Sequence, residues 1–193
     1  MSKNKMVQFK LFEAKERGEW YNWLKENHKI SPGIWLVYYK KNSKKDTISY
    51  DEAVEVALSF GWIDSKVNAL DAQRYMQVFT PRKSGSIWSK LNKQRIRKLI
   101  KKGLMEPSGI EKVEQAKEDG SWNFLDDIEN LVIPEDLKAA LDYNEIAKNN
   151  FDGFAKSSKK QILYWIKSAK LDVTRKNRIE KTVKLAAENK KPL

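Results

Sequence analysis

Apolar residues recur at helical spacing along most of this chain, and only a few short segments have the composition of strands. Runs rich in β-branched and aromatic residues, such as IWLVYYKK, predict strands. The predicted strands are residues 33–40, 62–67 and 74–80. Periodicity near 3.6 residues, with capping signals such as the Ser49–Glu52 capping box, predicts the helices. The predicted helices are residues 13–28, 49–60, 87–102, 107–118 and 134–141, followed by helices through 149, 170 and 189.

This order of elements predicts an α+β protein dominated by helices. A small antiparallel sheet in the N-terminal part packs against helices, and the C-terminal part is a helical subdomain. The acidic segment SWNFLDDIEN lies where the mixed pattern gives way to the purely helical one. We therefore expect a mixed α/β domain over residues 1–122 and a helical domain over residues 123–193.

The composition indicates a folded chain and excludes several kinds of functional site. Of the 193 residues, 40% are hydrophobic and 11% aromatic, which is enough to fill a core. The chain has no cysteine, so disulfides, thiolate nucleophiles and cysteine metal sites are excluded. No apolar run reaches the roughly 20 residues of a transmembrane helix. The N-terminal sequence MSKNKMVQFKLF lacks the apolar core of a secretory signal, and we expect a cytoplasmic protein.

The net charge of +12 is unevenly distributed. Residues 81–102 hold nine basic residues and no acidic one, whereas residues 103–155 hold four basic and thirteen acidic residues. Residues 156–193 are basic again, with twelve basic and three acidic residues. Such blocks can pair with each other inside the fold, or present a basic face to an anionic partner. The simpler alternative is a solvated surface rich in lysine.

The predicted helix 87–102 carries the most informative pattern. Leu91 is predicted on its apolar face, and Lys93 in a basic ridge opposite. Trp88, Asn92 and Arg95 share a stripe on the apolar side. A guanidinium there needs a carboxylate, and we hypothesise that Arg95 pairs with Asp64, with Asp71 as the other candidate, while Asn92 bonds nearby backbone. We expect five residues to converge on one pocket or core: Trp62, Tyr75, Phe79, Trp88 and Arg95.

A second candidate site is the TPRKSGS segment, residues 80–86. Arg82, Lys83 and Ser86 combine charge and hydroxyl groups with a glycine just before a predicted helix, a composition that suits an anion. The P-loop spacing GxxxxGK[ST] is missing, and the alternative is a solvated turn in which Ser86 caps the helix. The candidate ligand or anion-binding residues are Asp64, Tyr75, Arg82, Lys83, Ser86, Trp88, Asn92 and Arg95.

Catalytic signatures are absent from the sequence. His28 is the sole histidine, and the patterns GxSxG, HExxH and GxGxxG do not occur. We therefore expect no cofactor and no metal, and favour a binding protein over an enzyme. Basic faces on residues 87–102 and 159–190 keep nucleic-acid binding as an alternative. A small-molecule enzyme that uses Asp64 and Arg95 in a pocket is the third hypothesis.

Ordered motifs along nearly the whole chain resemble one family. They are GWIDS, RYxxxFTPRKxxSxWSxxNxxR at residues 74–95, GLMEPSGIEKVEQAKEDGSW, LKAALDYNEIAKNNF, YWIKSAK and TRKNRI. Together they resemble the YdeI-like, OmpD-associated family named for bacteriocin protection. Asn144-Glu145 stands where we expect Asn-Pro.

The resemblance implies a stress-tolerance role against bacteriocins or cationic antimicrobial peptides, and it carries over no catalytic residue. The partner would be an anionic ligand or another protein. The sequence does not indicate an oligomeric state. A basic protein repels cationic peptides at long range, which argues against simple sequestration.

Overall fold

The computed structural model describes residues 9–193, so the start of the N-terminal sequence used for the expectation of no secretory signal lies outside the described residues. The chain divides into two units, Met1–Asn123 and Phe124–Leu193. Within its described residues the first unit contains four strands: β1 (Leu11–Glu13), β2 (Ile34–Tyr39), β3 (Trp62–Ala69) and β4 (Arg74–Pro81). Its helices are α1 (Arg17–Asn27), α2 (Tyr50–Ser59), α3 (Lys90–Lys101) and α4 (Pro107–Glu118), with a 3₁₀ turn at Lys41–Ser43.

The α+β prediction is confirmed, and the sheet is larger than expected. Its strand order is β1-β2-β4-β3, with β2 and β3 both antiparallel to β4. The additional strand, β1, pairs in parallel with β2, so the sheet is mixed. Three residues are too few to show a period, which explains why the sequence pattern predicted a helix from residue 13 instead.

Alternation along the strands puts one face of the sheet into the core. Leu36 and Tyr38 of β2 are buried, and they pair with Gln77 and Tyr75 of β4. Trp20 of α1 lies against Phe79 of β4, with ring centroids 5.5 Å apart. Burial of large aromatic rings is the main source of stability in such a core.

Two contacts fix α2 against its neighbours. The capping box at its start is confirmed: Ser49 accepts from the Glu52 amide at 3.3 Å, and the Ser49 amide donates to the Glu52 carboxylate at 3.1 Å. Its end meets α4 at Gly109, where a Cβ would lie 2.0 Å from the Ser59 carbonyl oxygen. The two helix backbones therefore touch, and no side chain fits between them.

The second unit is entirely helical within its described residues. Its helices are α5 (Asp126–Glu129), α6 (Glu135–Asp142), α7 (Glu145–Gly153), α8 (Lys156–Lys167) and α9 (Asp172–Ala187). Leu137, Phe151, Ile162, Ile166 and Ile179 form the centre of its core. Among the helices of residues 9–193, none combines the length and hydrophobicity that a membrane span requires.

Candidate functional site

Arg82 follows β4 directly and is almost completely buried, with 4% of its surface exposed. Its guanidinium stacks on the Trp88 ring, 3.5 Å from the centroid, and Nη1 donates to the carbonyls of Ser86 (3.3 Å) and Ile87 (3.4 Å). Burial lowers the pKa of Arg82 from 12.5 to about 10, against the opposing effect of the Asp64 charge. Arg82 is therefore still protonated at neutral pH, and an aromatic face and two carbonyls stabilise its charge.

Trp88 is buried but lies outside the helix that was predicted to hold it. Helix α3 begins at Lys90, because Ser89 is the N-cap and accepts from the Asn92 amide at 3.2 Å. The alternative interpretation, in which Ser86 caps this helix, is therefore wrong. Trp88 packs against Trp122, with ring centroids 5.0 Å apart, and is 1% exposed. Trp88 therefore fills the space beside the end of β4, and its ring is closed to solvent.

The TPRKSGS segment does hold an anion, and the anion belongs to the chain itself. The Asp119 carboxylate accepts from Ser84 Oγ at 3.1 Å, from the Gly85 amide at 2.8 Å and from the Ser121 amide at 2.9 Å. The Ser121 side chain, the Ser121 and Gly85 amides and the Ser84 hydroxyl together lower the pKa of Asp119 from 3.8 to about 2. The Ser121 hydroxyl lies beside the carboxylate without forming an aligned hydrogen bond. Lys83 of the segment is exposed.

Arg95 is buried and paired, but its partner is not the predicted one. Its Nη2 donates to Asp51 of α2, and Nη1 donates to Asn92 Oδ1 at 3.1 Å. The hypothesis of an Arg95–Asp64 pair is corrected accordingly, and Asn92 bonds the arginine instead of nearby backbone. The Arg95 side chain is 10% exposed and that of Asp51 76%, so one end of the pair remains in water. The other candidate, Asp71, pairs with Arg74 at 2.7 Å.

Asp64 belongs to a separate group of hydrogen bonds on the sheet. It accepts from Tyr50 Oη at 3.0 Å and from Gln77 Nε2 at 2.7 Å. The Tyr50 ring in turn lies 5.9 Å from the Arg95 guanidinium, so the two predicted partners are linked through this tyrosine. A bulge after Asp64 shifts the register of β3 against β4, which places Asp64 opposite Phe79.

Tyr75 stacks on Tyr38, with centroids 4.9 Å apart and an interplanar angle of 9°. The Tyr38 hydroxyl is buried, and no acceptor for it lies within the described chain. Burial raises the pKa of Tyr38 above its ordinary value of 10, and the nearby ionisable groups of Tyr75, Asp64 and Tyr50 raise it further. Tyr38 is therefore part of the core, and Tyr75 packs against it.

The solvent face of α3 carries a row of cations. We call Lys90, Arg97, Lys98 and Lys101 the α3 stripe. All four are exposed, and no hydrogen bond or carboxylate contact of their side chains occurs in the part of the chain that the structure describes. Two details of the predicted helix are corrected. Lys93 is 5% exposed and donates to the Trp122 carbonyl at 3.1 Å, and Leu91 is 54% exposed at the border of the stripe.

The predicted residues therefore separate into distinct groups. Trp62, Phe79 and Trp88 share one core with Tyr75 packed against it, and Arg82 and Ser86 lie beside Trp88. Residues 9–193 hold no group of histidine, aspartate and glutamate side chains suited to a metal ion. Two clefts, of about 400 and 390 Å³, lie away from these residues, one beside Tyr39 and the other beside Trp23.

Sequence reasoning missed Asp51, Gln77, Asp119 and Ser121 as site residues. Asp51 lies within the Ser49–Glu52 capping signal, and Asp119 directly follows the predicted helix 107–118, so neither stands out in the sequence as a site residue. The one signal that pointed to Asp119 is its position before Gly120, where a chain reversal exposes a carboxylate. The distance of 34 residues between Gly85 and Asp119 hides their contact from any local pattern.

Comparisons with known proteins divide the chain at nearly the same place as the structure. A family model described as "Domain of unknown function (DUF8412)" matches residues 12–112, more than half of the 193 residues. The chain belongs to this family. A second model, "Bacteriocin-protection, YdeI or OmpD-Associated", matches residues 130–189. The resemblance expected for nearly the whole chain is thus confirmed for its C-terminal part only. No curated protein and no solved structure matches the chain.

Proposed function

We propose that this protein is a non-catalytic binding protein that attaches to an anionic phospholipid surface through the α3 stripe. The observation that carries the proposal is the row of four exposed cations with no carboxylate beside them in the described chain. Over the 11 residue steps from Lys90 to Lys101 this row extends about 16 Å along the helix. Each such cation near an anionic membrane surface contributes about 1 kcal/mol of attraction.

The contrast with other cations of the protein supports this assignment. In the second unit Lys160 contacts Glu129 at 2.5 Å, Lys167 contacts Asp127 at 2.9 Å, and Arg175 contacts Asp136 at 2.6 Å. Those three cations have carboxylate partners within the fold, whereas the α3 stripe gathers along one helix four cations that are unpaired in the described chain.

Apolar side chains at the borders of the stripe favour a lipid surface over a nucleic acid. Leu91 and Ile100 are 54% and 55% exposed. At a membrane interface such side chains gain from contact with the acyl boundary, while the phosphates of a nucleic acid offer them nothing. Nucleic-acid binding through the same cations is the second candidate.

The proposed surface also gives the bacteriocin-protection family match a physical basis. A protein of net charge +12 repels cationic peptides, but it shares their preference for anionic surfaces. Protection by occupying the surface that the peptides attack fits this charge, and sequestration of the peptides does not. The Asp64/Arg95 enzyme hypothesis receives no such support, because both side chains have partners within the fold.

The test is co-sedimentation with phosphatidylcholine vesicles that contain or lack phosphatidylglycerol, at two salt concentrations. The variant Lys90→Gln/Arg97→Gln/Lys98→Gln/Lys101→Gln is expected to lose about 4 kcal/mol of binding, roughly a thousandfold. Its control replaces four other exposed lysines of the first unit, Lys15, Lys25, Lys29 and Lys66, by glutamine.

Both variants lower the net charge by four, from +12 to +8. Equal losses in the two variants would show that the total charge, not the α3 stripe, drives binding, and would refute the proposal. Salt-sensitive binding to a short DNA duplex without binding to the vesicles would instead establish the second candidate.

A further inference from the structure

An unsatisfied buried cation marks a second site at the end of β4. Arg82 is 4% exposed, and its Nε has no acceptor among residues 9–193. This side chain lines a cavity of about 10 Å³ between the TPRKSGS segment and α4. A donor in such a position is costly unless a ligand or water completes its hydrogen bonds.

The same cavity has the geometry of an anion site. Gly85 has a φ of +72°, a left-handed turn of the kind that forms concave backbone nests for anions. Its amide and the Ser84 hydroxyl both donate to one oxygen of Asp119, and the Ser121 amide donates to the other oxygen. The donors are therefore already arranged around an anionic group.

We propose that this cavity binds a phosphate group, and that Asp119 occupies it in the free protein as an internal substitute for the ligand. The charges around the cavity favour a dianion. Its lining includes the cations Arg82, Lys83 and Lys112, and Asp119 is the single carboxylate in that lining. Once Asp119 leaves, three positive charges surround the donors.

Phosphate can bind in this cavity only if the Asp119 side chain moves out, and the exposed position of Asp119 allows that movement. A cavity of about 10 Å³ has room for about one water molecule, so a phosphate does not fit beside the carboxylate. Asp119 is exposed at the end of α4, and Gly120 follows it with a φ of +77°. Ser84 and Gly85 are both exposed, so their donor groups lie at the surface.

The test is a titration with inorganic phosphate at constant ionic strength, followed through the NMR signals of the Gly85 and Ser121 amides. Asp119→Ala is expected to bind phosphate about tenfold more tightly than the wild type, because its donors are free. Adding Ser84→Ala, or Arg82→Gln, to this variant is expected to reverse the gain. Ser84 is exposed, so the Ser84→Ala result does not depend on the variant tolerating loss of a buried cation.

The proposal is overturned if Asp119→Ala binds no more tightly than the wild type, or if Ser84→Ala leaves the gain intact. The fourfold α3 stripe variant, placed in the Asp119→Ala background, separates this site from the proposed membrane surface. It should retain the phosphate affinity, and a loss there would assign phosphate to the stripe and refute the cavity. O-phosphoserine, titrated in parallel, distinguishes a free phosphate ion from a phosphate monoester as the ligand.

Discussion

The first unit buries two arginines, and it stabilises their charges by different means. Arg95 has a carboxylate partner in Asp51 and an amide partner in Asn92. Arg82 has no carboxylate within hydrogen-bond reach among the described residues, and relies on the Trp88 face and two backbone carbonyls. Burial lowers the pKa of Arg82 from 12.5 to about 10.

The two arginines therefore have different roles: Arg95 belongs to a structural ion pair, and Arg82 to a candidate binding site. Around Arg95 the hydrogen bonds join α2 to α3, and Asp51 already neutralises the exposed end of the pair. Around Arg82 a donor is left unsatisfied beside a small cavity lined by the exposed carboxylate of Asp119. An arginine that is buried without a counter-charge is the stronger indication of a missing ligand.

The largest effect is expected from removing the aromatic face beneath Arg82. Trp88→Ala should lower the free energy of unfolding by about 3–5 kcal/mol, because it leaves a cavity in the core and removes the stacking partner of the cation. Urea unfolding followed by circular dichroism measures the change. Trp88→Phe is the matched control, which keeps an aromatic ring and should cost less. Equal costs for the two variants would show that the aromatic face contributes nothing specific to Arg82.

A smaller effect should identify the carboxylate that serves Arg95. A double-mutant cycle of Arg95→Gln with Asp51→Asn is expected to give a coupling energy of about 1–2 kcal/mol. The parallel cycle with Asp64→Asn should give less than about 0.5 kcal/mol, since Tyr50 lies between the two groups. Urea unfolding of the single and double variants supplies both values. A larger coupling to Asp64 would restore the pair expected from the sequence.

The smallest effect is expected on the stability that the hydrogen bonds of the Asp119 carboxylate provide, which depends on pH in the acid range. The pKa of Asp119 is lowered from 3.8 to about 2, so its contribution to stability is present above 3.8 and is lost as the pH falls through about 2. Asp119→Asn should therefore melt at a lower temperature than the wild type at pH 5, and the gap should narrow between pH 4 and pH 2. A constant gap across this range would mean that the Asp119 charge does not hold the nest.

The fold could be predicted to the extent that its elements have a local signal. The capping box at Ser49 defined the start of α2, because both of its partners lie within four residues. The start of α3 was misplaced, since Ser84, Ser86 and Ser89 are all suitable caps and only the packing of Trp88 decides among them. Strand β1 is held by pairing with β2 across the chain and has no pattern of its own.

Only some members of the candidate site were predictable from the sequence, and their pairings were not. The sequence pattern indicated correctly that Arg95 is buried and needs a carboxylate, because the helix periodicity places it on the inward side. The choice of Asp51 over Asp64 depends on how α2 crosses α3, which is tertiary geometry. The same limit applies to the TPRKSGS segment, whose composition suggested an anion but could not identify Asp119.

The contact between α2 and α4 has a consequence for recognising distant relatives of this chain. A Cβ at Gly109 would lie 2.0 Å from the Ser59 carbonyl oxygen, so the distance between two backbones fixes the identity of this residue. Charged surface positions can drift freely among descendants of one ancestor, but a helix crossing this close tolerates only glycine. Gly109 is therefore a marker of shared architecture that carries no information about the ligand.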